Sequence, residues 1–136
     1  MCNNSLIMLT TTTSNSVLAN GAIPLTTIAR RRGSSIQNGT NSVLLGSAGY
    51  YKVTGSVTFT APVAGAISVK LQRSGVDVAG VTASTTITTA TTEVRTLNIS
   101  GIVRVFCNDD VVTLTLINSG VAITLTNAEL DVEYLG

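Results

Sequence analysis

The stretch Tyr50-Tyr51-Lys52-Val53-Thr54-Gly55-Ser56-Val57-Thr58-Phe59-Thr60 decides the fold class. Tyr51, Val53, Gly55, Val57 and Phe59 fall on one side of a period-two pattern. Tyr50, Lys52, Thr54, Ser56, Thr58 and Thr60 fall on the other. A period of two belongs to a half-buried β-strand, whereas a helix would repeat its apolar positions at three and four. The residue types agree, because β-branched and aromatic side chains fit a pleated surface.

The same alternation recurs outward in both directions. Ala66 to Arg73 turns Ile67, Val69 and Leu71 inward, and Ala61-Pro62-Val63-Ala64-Gly65 connects it to the first strand. Arg73-Ser74-Gly75 predicts a tight turn into a short strand, Val76 to Val81. Thr85 to Ile99 reads as extended, with Gly101 breaking the pattern before Ile102 to Cys107. Asn108-Asp109-Asp110 reads as a turn, followed by strands at Val111 to Ile117, Val121 to Thr126 and Ala128 to Leu135. Upstream, Val17 to Ile28 and Ser42 to Leu45 read as strands joined by a polar loop, Arg30 to Asn41. About eight to ten short antiparallel strands at close spacing predict an all-β sandwich or jelly roll. Residues 17–136 form that domain, and residues 1–16 an N-terminal arm or first strand. The apolar patch Leu6-Ile7-Met8-Leu9 in the arm is a candidate attachment knob.

The composition excludes several function classes. Among 136 residues, 8 Lys and Arg stand against 7 Asp and Glu, a net charge of +1. Charged residues make up 11%, against about 25% in ordinary soluble domains. Near-neutrality argues against nucleic-acid binding by phosphate neutralisation, and so few charges leave a surface poorly defended against association. A partner subunit is therefore expected to cover part of it. No apolar run is long enough for a membrane span or a secretory leader. Cys2 and Cys107 are expected as unpaired thiols.

The available chemistry points away from catalysis. With no His in the chain, the usual Ser-His-Asp and Cys-His systems cannot form. Two distant thiols cannot hold zinc, and no Gly-rich phosphate loop is present. No cofactor is implied. Asp109 and Asp110 after Asn108 are weak candidates for a Ca²⁺ site, against the plainer reading of a turn closed by its own side chains. Glu129, Asp131 and Glu133 line one outward strand face, where solvation accounts for them. Arg30-Arg31-Arg32 is a candidate anion or partner contact, against the plainer reading of a solvated loop.

A family resemblance emerges from the order of motifs. Val17-Leu18-Ala19-Asn20-Gly21-Ala22-Ile23-Pro24-Leu25, Ser42-Val43-Leu44-Leu45 and Gly49-Tyr50-Tyr51-Lys52-Val53 together resemble the opening of TNF-like jelly rolls. Ser68-Val69-Lys70-Leu71-Gln72-Arg73-Ser74-Gly75-Val76 and the closing Ala128 to Gly136 continue the likeness. More specifically, the chain is similar to complement-type globular heads, to the C-terminal heads of exosporium collagen-like proteins and to small bacteriophage structural proteins. The resemblance implies a ten-stranded jelly roll that assembles as a homotrimer through its apolar, Tyr-bearing face. Tyr51, Val53, Val57, Phe59, Leu130, Val132 and Tyr134 are the candidate core or trimer-interface residues.

Two departures narrow the function. No collagen-like Gly-x-y stalk precedes the head, and the Ca²⁺ and receptor residues of secreted relatives have no match. A stalkless head without a leader fits a virion component made in the host cytoplasm. The expected function is thus a non-enzymatic bacteriophage structural protein: a trimeric capsid decoration, head fibre or tail-associated knob. Its partners would be itself and other virion proteins, with no nucleic acid or membrane. The alternatives are a receptor- or carbohydrate-binding fibre tip and a bacterial surface or spore-coat head.

Overall fold

A computed structural model describes residues 5–33, 35–107 and 112–136, and these contain strands but no helix. In chain order the strands are β1 (Leu6–Thr11), β2 (Asn15–Val17), β3 (Thr27–Arg32), β4 (Ile36–Asn38), β5 (Ser42–Leu45) and β6 (Gly49–Thr60). There follow β7 (Gly65–Arg73), β8 (Val76–Ile87), β9 (Arg95–Val105), β10 (Val112–Asn118) and β11 (Ile123–Tyr134). One sheet runs β3-β1-β11-β6-β9, with β2 beside the start of β11, and the other runs β4-β5-β10-β7-β8. The recorded strand pairs are antiparallel, and the chain repeatedly changes sheet between consecutive strands. This is a jelly-roll sandwich.

Alternation builds the core. Ile7, Leu9, Tyr51, Val53, Val57, Phe59, Leu130 and Val132 point inward from one sheet, and Val69, Leu71, Leu114 and Leu116 from the other; all are fully buried or nearly so. Interdigitated apolar layers of this kind supply the main drive to fold. Pro24 and Pro62 fall outside the strands, as residues without an N–H must in a paired interior. Ser74 and Gly75 both adopt positive φ (50° and 85°), the geometry that suits the twist of a two-residue hairpin.

Several expected boundaries move. Val17 to Ile28 is not one strand: after β2, Asn20 takes φ 63°, and the chain crosses the sandwich as an irregular segment. That segment still buries Ile23 and Leu25 completely, and Leu25 N–H donates to Thr40 O. The expected loop Arg30 to Asn41 instead contributes the end of β3 and all of β4. β8 continues well past Val81, because an edge strand with one solvated side carries too few apolar positions to show its length.

Thr85 to Ile99 is divided between β8 and β9 by a loop tied down by Glu93. Its Oε1 accepts from Thr89 N and Thr88 N, both at 2.9 Å, and these bonds, with burial opposing and Arg95 assisting, hold the carboxyl down at about 2. Gly101 does not break β9; it points inward, where a Cβ would lie 2.5 Å from Val81 Cγ2. Its smallness serves close packing between the sheets rather than a turn. Val121 to Thr126 and Ala128 to Leu135 merge into β11 across a bulge between Leu125 and Asn127.

The segment containing Leu6-Ile7-Met8-Leu9 is a sheet strand and not a free knob. β1 lies between β11 and β3, and Ile7 and Leu9 are fully buried. Leu6 and Met8 alone of the four face outward, half-buried.

Candidate functional site: the outer face of the six-stranded sheet

Residues that point away from the core on β3, β1, β11, β6 and β9 form one continuous face. Strand register places them in rows. Arg30, Met8, Asp131, Thr54 and Ser100 stand abreast, and Arg32, Leu6, Glu133, Lys52 and Ile102 form the next row. A groove of about 300 Å³ crosses these rows, lined by Leu6, Met8, Arg30, Lys52, Thr54, Asp131 and Glu133.

Asp131 sits in that groove and is not the solvated carboxylate its spacing suggested. Thr54 Oγ1 donates to its Oδ2 at 3.5 Å, while its Oδ1 is buried without a hydrogen-bond partner. Burial, reinforced by the neighbouring Glu129, pushes the carboxyl up to about 6. An unsatisfied buried oxygen is costly, and among the described residues Ser35 Oγ is the other such side-chain atom.

A second concentration lies at one end of the same sheet. Four of the chain's five aromatic residues, Tyr50, Tyr51, Phe106 and Tyr134, gather there. Tyr51 is buried, and its ring meets that of Tyr134 edge to face at 5.1 Å. Tyr51 OH donates to Ser47 O at 2.6 Å and accepts from Ser47 N, while Tyr134 OH donates to Ala48 O at 2.8 Å. The two phenols thereby fasten the turn between β5 and β6. Above them, Tyr50 and Arg104 stand opposite one another on β6 and β9. The Arg104 guanidinium lies 5.3 Å from the Tyr50 ring centre and 4.4 Å from that of Phe106. Tyr50 is 44% exposed, Phe106 49% and Ile102 54%.

The expected site residues are dispersed. Tyr51, Val53, Val57, Phe59, Leu130 and Val132 lie between the sheets, where no partner can touch them, and Tyr134 is half-buried beside them. Of the two readings open for these residues, core or subunit contact, these six therefore take the core. Arg31 points to the opposite side of β3 from Arg30 and Arg32, which stand in neighbouring rows of the outer face. Arg30 reaches the groove, whereas Arg31 Nε donates to Ser35 O at 3.0 Å. Asp109 and Asp110 lie outside the described residues, as does Cys2; Cys107 is free and exposed. Among the described residues no group of three or more His, Cys, Asp or Glu side chains could hold a metal ion, and no helix is long and apolar enough to cross a membrane.

The alternation in sequence turns Tyr50 outward but does not show that Arg104 and Phe106 stand beside it. The remaining signal is phase. Counting in twos from Leu97 and Ile99 turns Val103 and Val105 inward, and so leaves Ile102, Arg104 and Phe106 outside.

No protein-family model and no curated protein matches the chain. Solved structures do. The globular domain of zebrafish complement 1qA protein matches at TM-score 0.70 and 5% identity, covering 96% of each chain. Eiger TNF from S. frugiperda matches at TM-score 0.70 and 12% identity, covering 98% of this chain and 92% of the other. Murine APRIL matches at TM-score 0.70 and 13% identity, with 97% and 99% covered. The fold is the jelly roll of TNF-like and complement-type heads.

Proposed function

We propose that the chain is a non-enzymatic head that assembles as a homotrimer and serves as a structural part of a bacteriophage particle, as capsid decoration, head fibre or tail-associated knob. The observation that supports self-assembly most directly is the groove around Asp131. It combines half-buried Leu6 and Met8 with a buried carboxylate oxygen that lacks a partner, on a chain with few charges to resist association. The contact face is thus the outside of the six-stranded sheet. The particle setting rests on the likeness to small bacteriophage structural proteins and on the uncharged Thr and Ser that occupy outward strand positions.

Sedimentation equilibrium at micromolar concentration tests the assembly. A trimer is expected, and Met8→Asp should give a folded monomer with an unchanged far-UV spectrum, because Met8 faces outward. A wild-type monomer overturns the reading. Mass spectrometry of purified phage particles encoding the chain tests the setting: it should be present in fixed proportion to the coat protein, and its absence removes the virion role. Deleting residues 1–16 would not isolate an anchor, since it strips β1 from between β11 and β3.

A further inference from the structure

We propose that association through the outer face of the six-stranded sheet is proton-dependent, with Asp131 as the group that takes up a proton when a second copy covers the groove. The inference rests on the assembly reading and adds the condition under which that contact is strong.

Strand register isolates two of the three carboxylates on β11. Glu133 has Lys52 directly opposite on β6. Asp131 instead has Thr54 opposite on β6 and Met8 opposite on β1, and Glu129 has Ser56 and Thr10. None of these four side chains is charged. Arg30 stands one strand further out, beyond Met8, and Arg32 stands beyond Leu6, which faces Glu133. On the far side of β6, Asn98, Ser100 and Ile102 of β9 complete the rows without a charge. Among the described residues no ion pair reaches Asp131.

Glu129 and Asp131 lie two positions apart on one strand and so point the same way. Their carboxyls stand within hydrogen-bonding reach of each other. Two carboxyl groups can share such a bond only when one of them carries a proton. With both charged, Asp131 Oδ1 has no donor, and Thr54 Oγ1 reaches Oδ2 only at 3.5 Å. With Asp131 protonated, the acid can donate to Glu129, and one negative charge remains where two stood.

A second copy seated on Leu6 and Met8 would exclude water from the groove. Two neighbouring negative charges without a cation opposite them then cost more than they do in the free protomer. Covering the groove therefore favours the protonated acid, and by linkage the protonated acid favours covering. The sign follows. The covered state holds the proton more tightly than the free protomer, whose Asp131 titrates at about 6. Association is thus strongest below about pH 6 and weakens as pH rises above it.

Sedimentation equilibrium of the intact wild-type chain at pH 5 and pH 8, at equal ionic strength, tests this. The rate at which isotope-labelled and unlabelled copies exchange is a second readout. Association about tenfold tighter per protomer at pH 5 is expected, as a one-unit rise on covering would give, with slower exchange. Asp131→Asn carries no charge and can still donate to Glu129, so it should associate at both pH values as the wild type does at pH 5. Glu129→Gln should shrink the difference, and Glu133→Gln should leave it in place. Stronger wild-type association at pH 8 overturns the proposal, as does a pH difference that survives Asp131→Asn or a loss of assembly in that variant. A trimer of equal strength at both pH values overturns the proposal alone and leaves the assembly reading standing. A monomer at both removes the assembly reading and the proposal with it.

Discussion

The two outer faces of the sandwich are finished differently. On the five-stranded sheet the outward polar groups satisfy one another: Ser68 and Ser84 hydroxyls are 2.6 Å apart, and Asp77 accepts from Lys70 and Gln72 at 2.9 Å each. The Gln72 and Lys70 contacts hold the Asp77 carboxyl below its ordinary value. On the six-stranded sheet Thr58 and Thr96 pair in the same way at 2.9 Å, but the groups around the groove are left open. Asp131 keeps an unpartnered oxygen and a raised carboxyl, Met8 and Leu6 floor a groove, and Arg104 rests on exposed rings. A face closed by its own bonds needs nothing further. A face with an unmet acceptor and apolar surface is where a partner adds most.

The largest perturbation erases the comparison. Leu116→Ala in the shared core should cost about 2–5 kcal/mol in urea unfolding and loosen both sheets together. Loss confined to one face would show that the sheets are independent units. Gly101→Val should cost about 1–3 kcal/mol by forcing Val81 away at the joint between β9 and β8; a neutral result would mean the edges do not meet.

Asp131 sharpens the contrast, and its sign is definite. Its carboxyl titrates at about 6 when folded, against 3.8 ordinarily, so the folded chain binds the proton more tightly. Its effect on stability is most favourable below pH 3.8 and is lost as pH rises through about 6. Asp131→Asn should flatten this dependence and stabilise the protomer at pH 7 by at most about 1 kcal/mol, solvent screening reducing the full effect. Unchanged stability between pH 4 and 7 in wild type would contradict it. Least of all, Ser68→Ala on the closed face should cost about 0.2–0.5 kcal/mol, since one exposed cross-strand pair is lost.

The sandwich and most of its core were legible because inward positions carry apolar side chains at strict period two, as in β6 and β7. Edges were not. β3, β4 and β8 each lack a full set of inward apolar positions, so Arg30 to Arg32 read as loop and β8 ended early. The working face was the least legible part. Outward residues make no pattern of their own, and rows such as Arg30, Met8 and Asp131 exist only once strands distant in sequence lie side by side.

β11 is paired on one side with β6 and on the other with β1 and β2, so Leu6 stands opposite Glu133. During synthesis, therefore, the six-stranded sheet cannot close until β11, the last of these strands to be made, leaves the ribosome. Until then β1 and β6 wait with open edges and apolar sides. Such distant pairing makes for slow folding, on the scale of milliseconds to seconds, and a nascent chain halted before β11 would be prone to aggregate rather than to rest in a smaller stable domain.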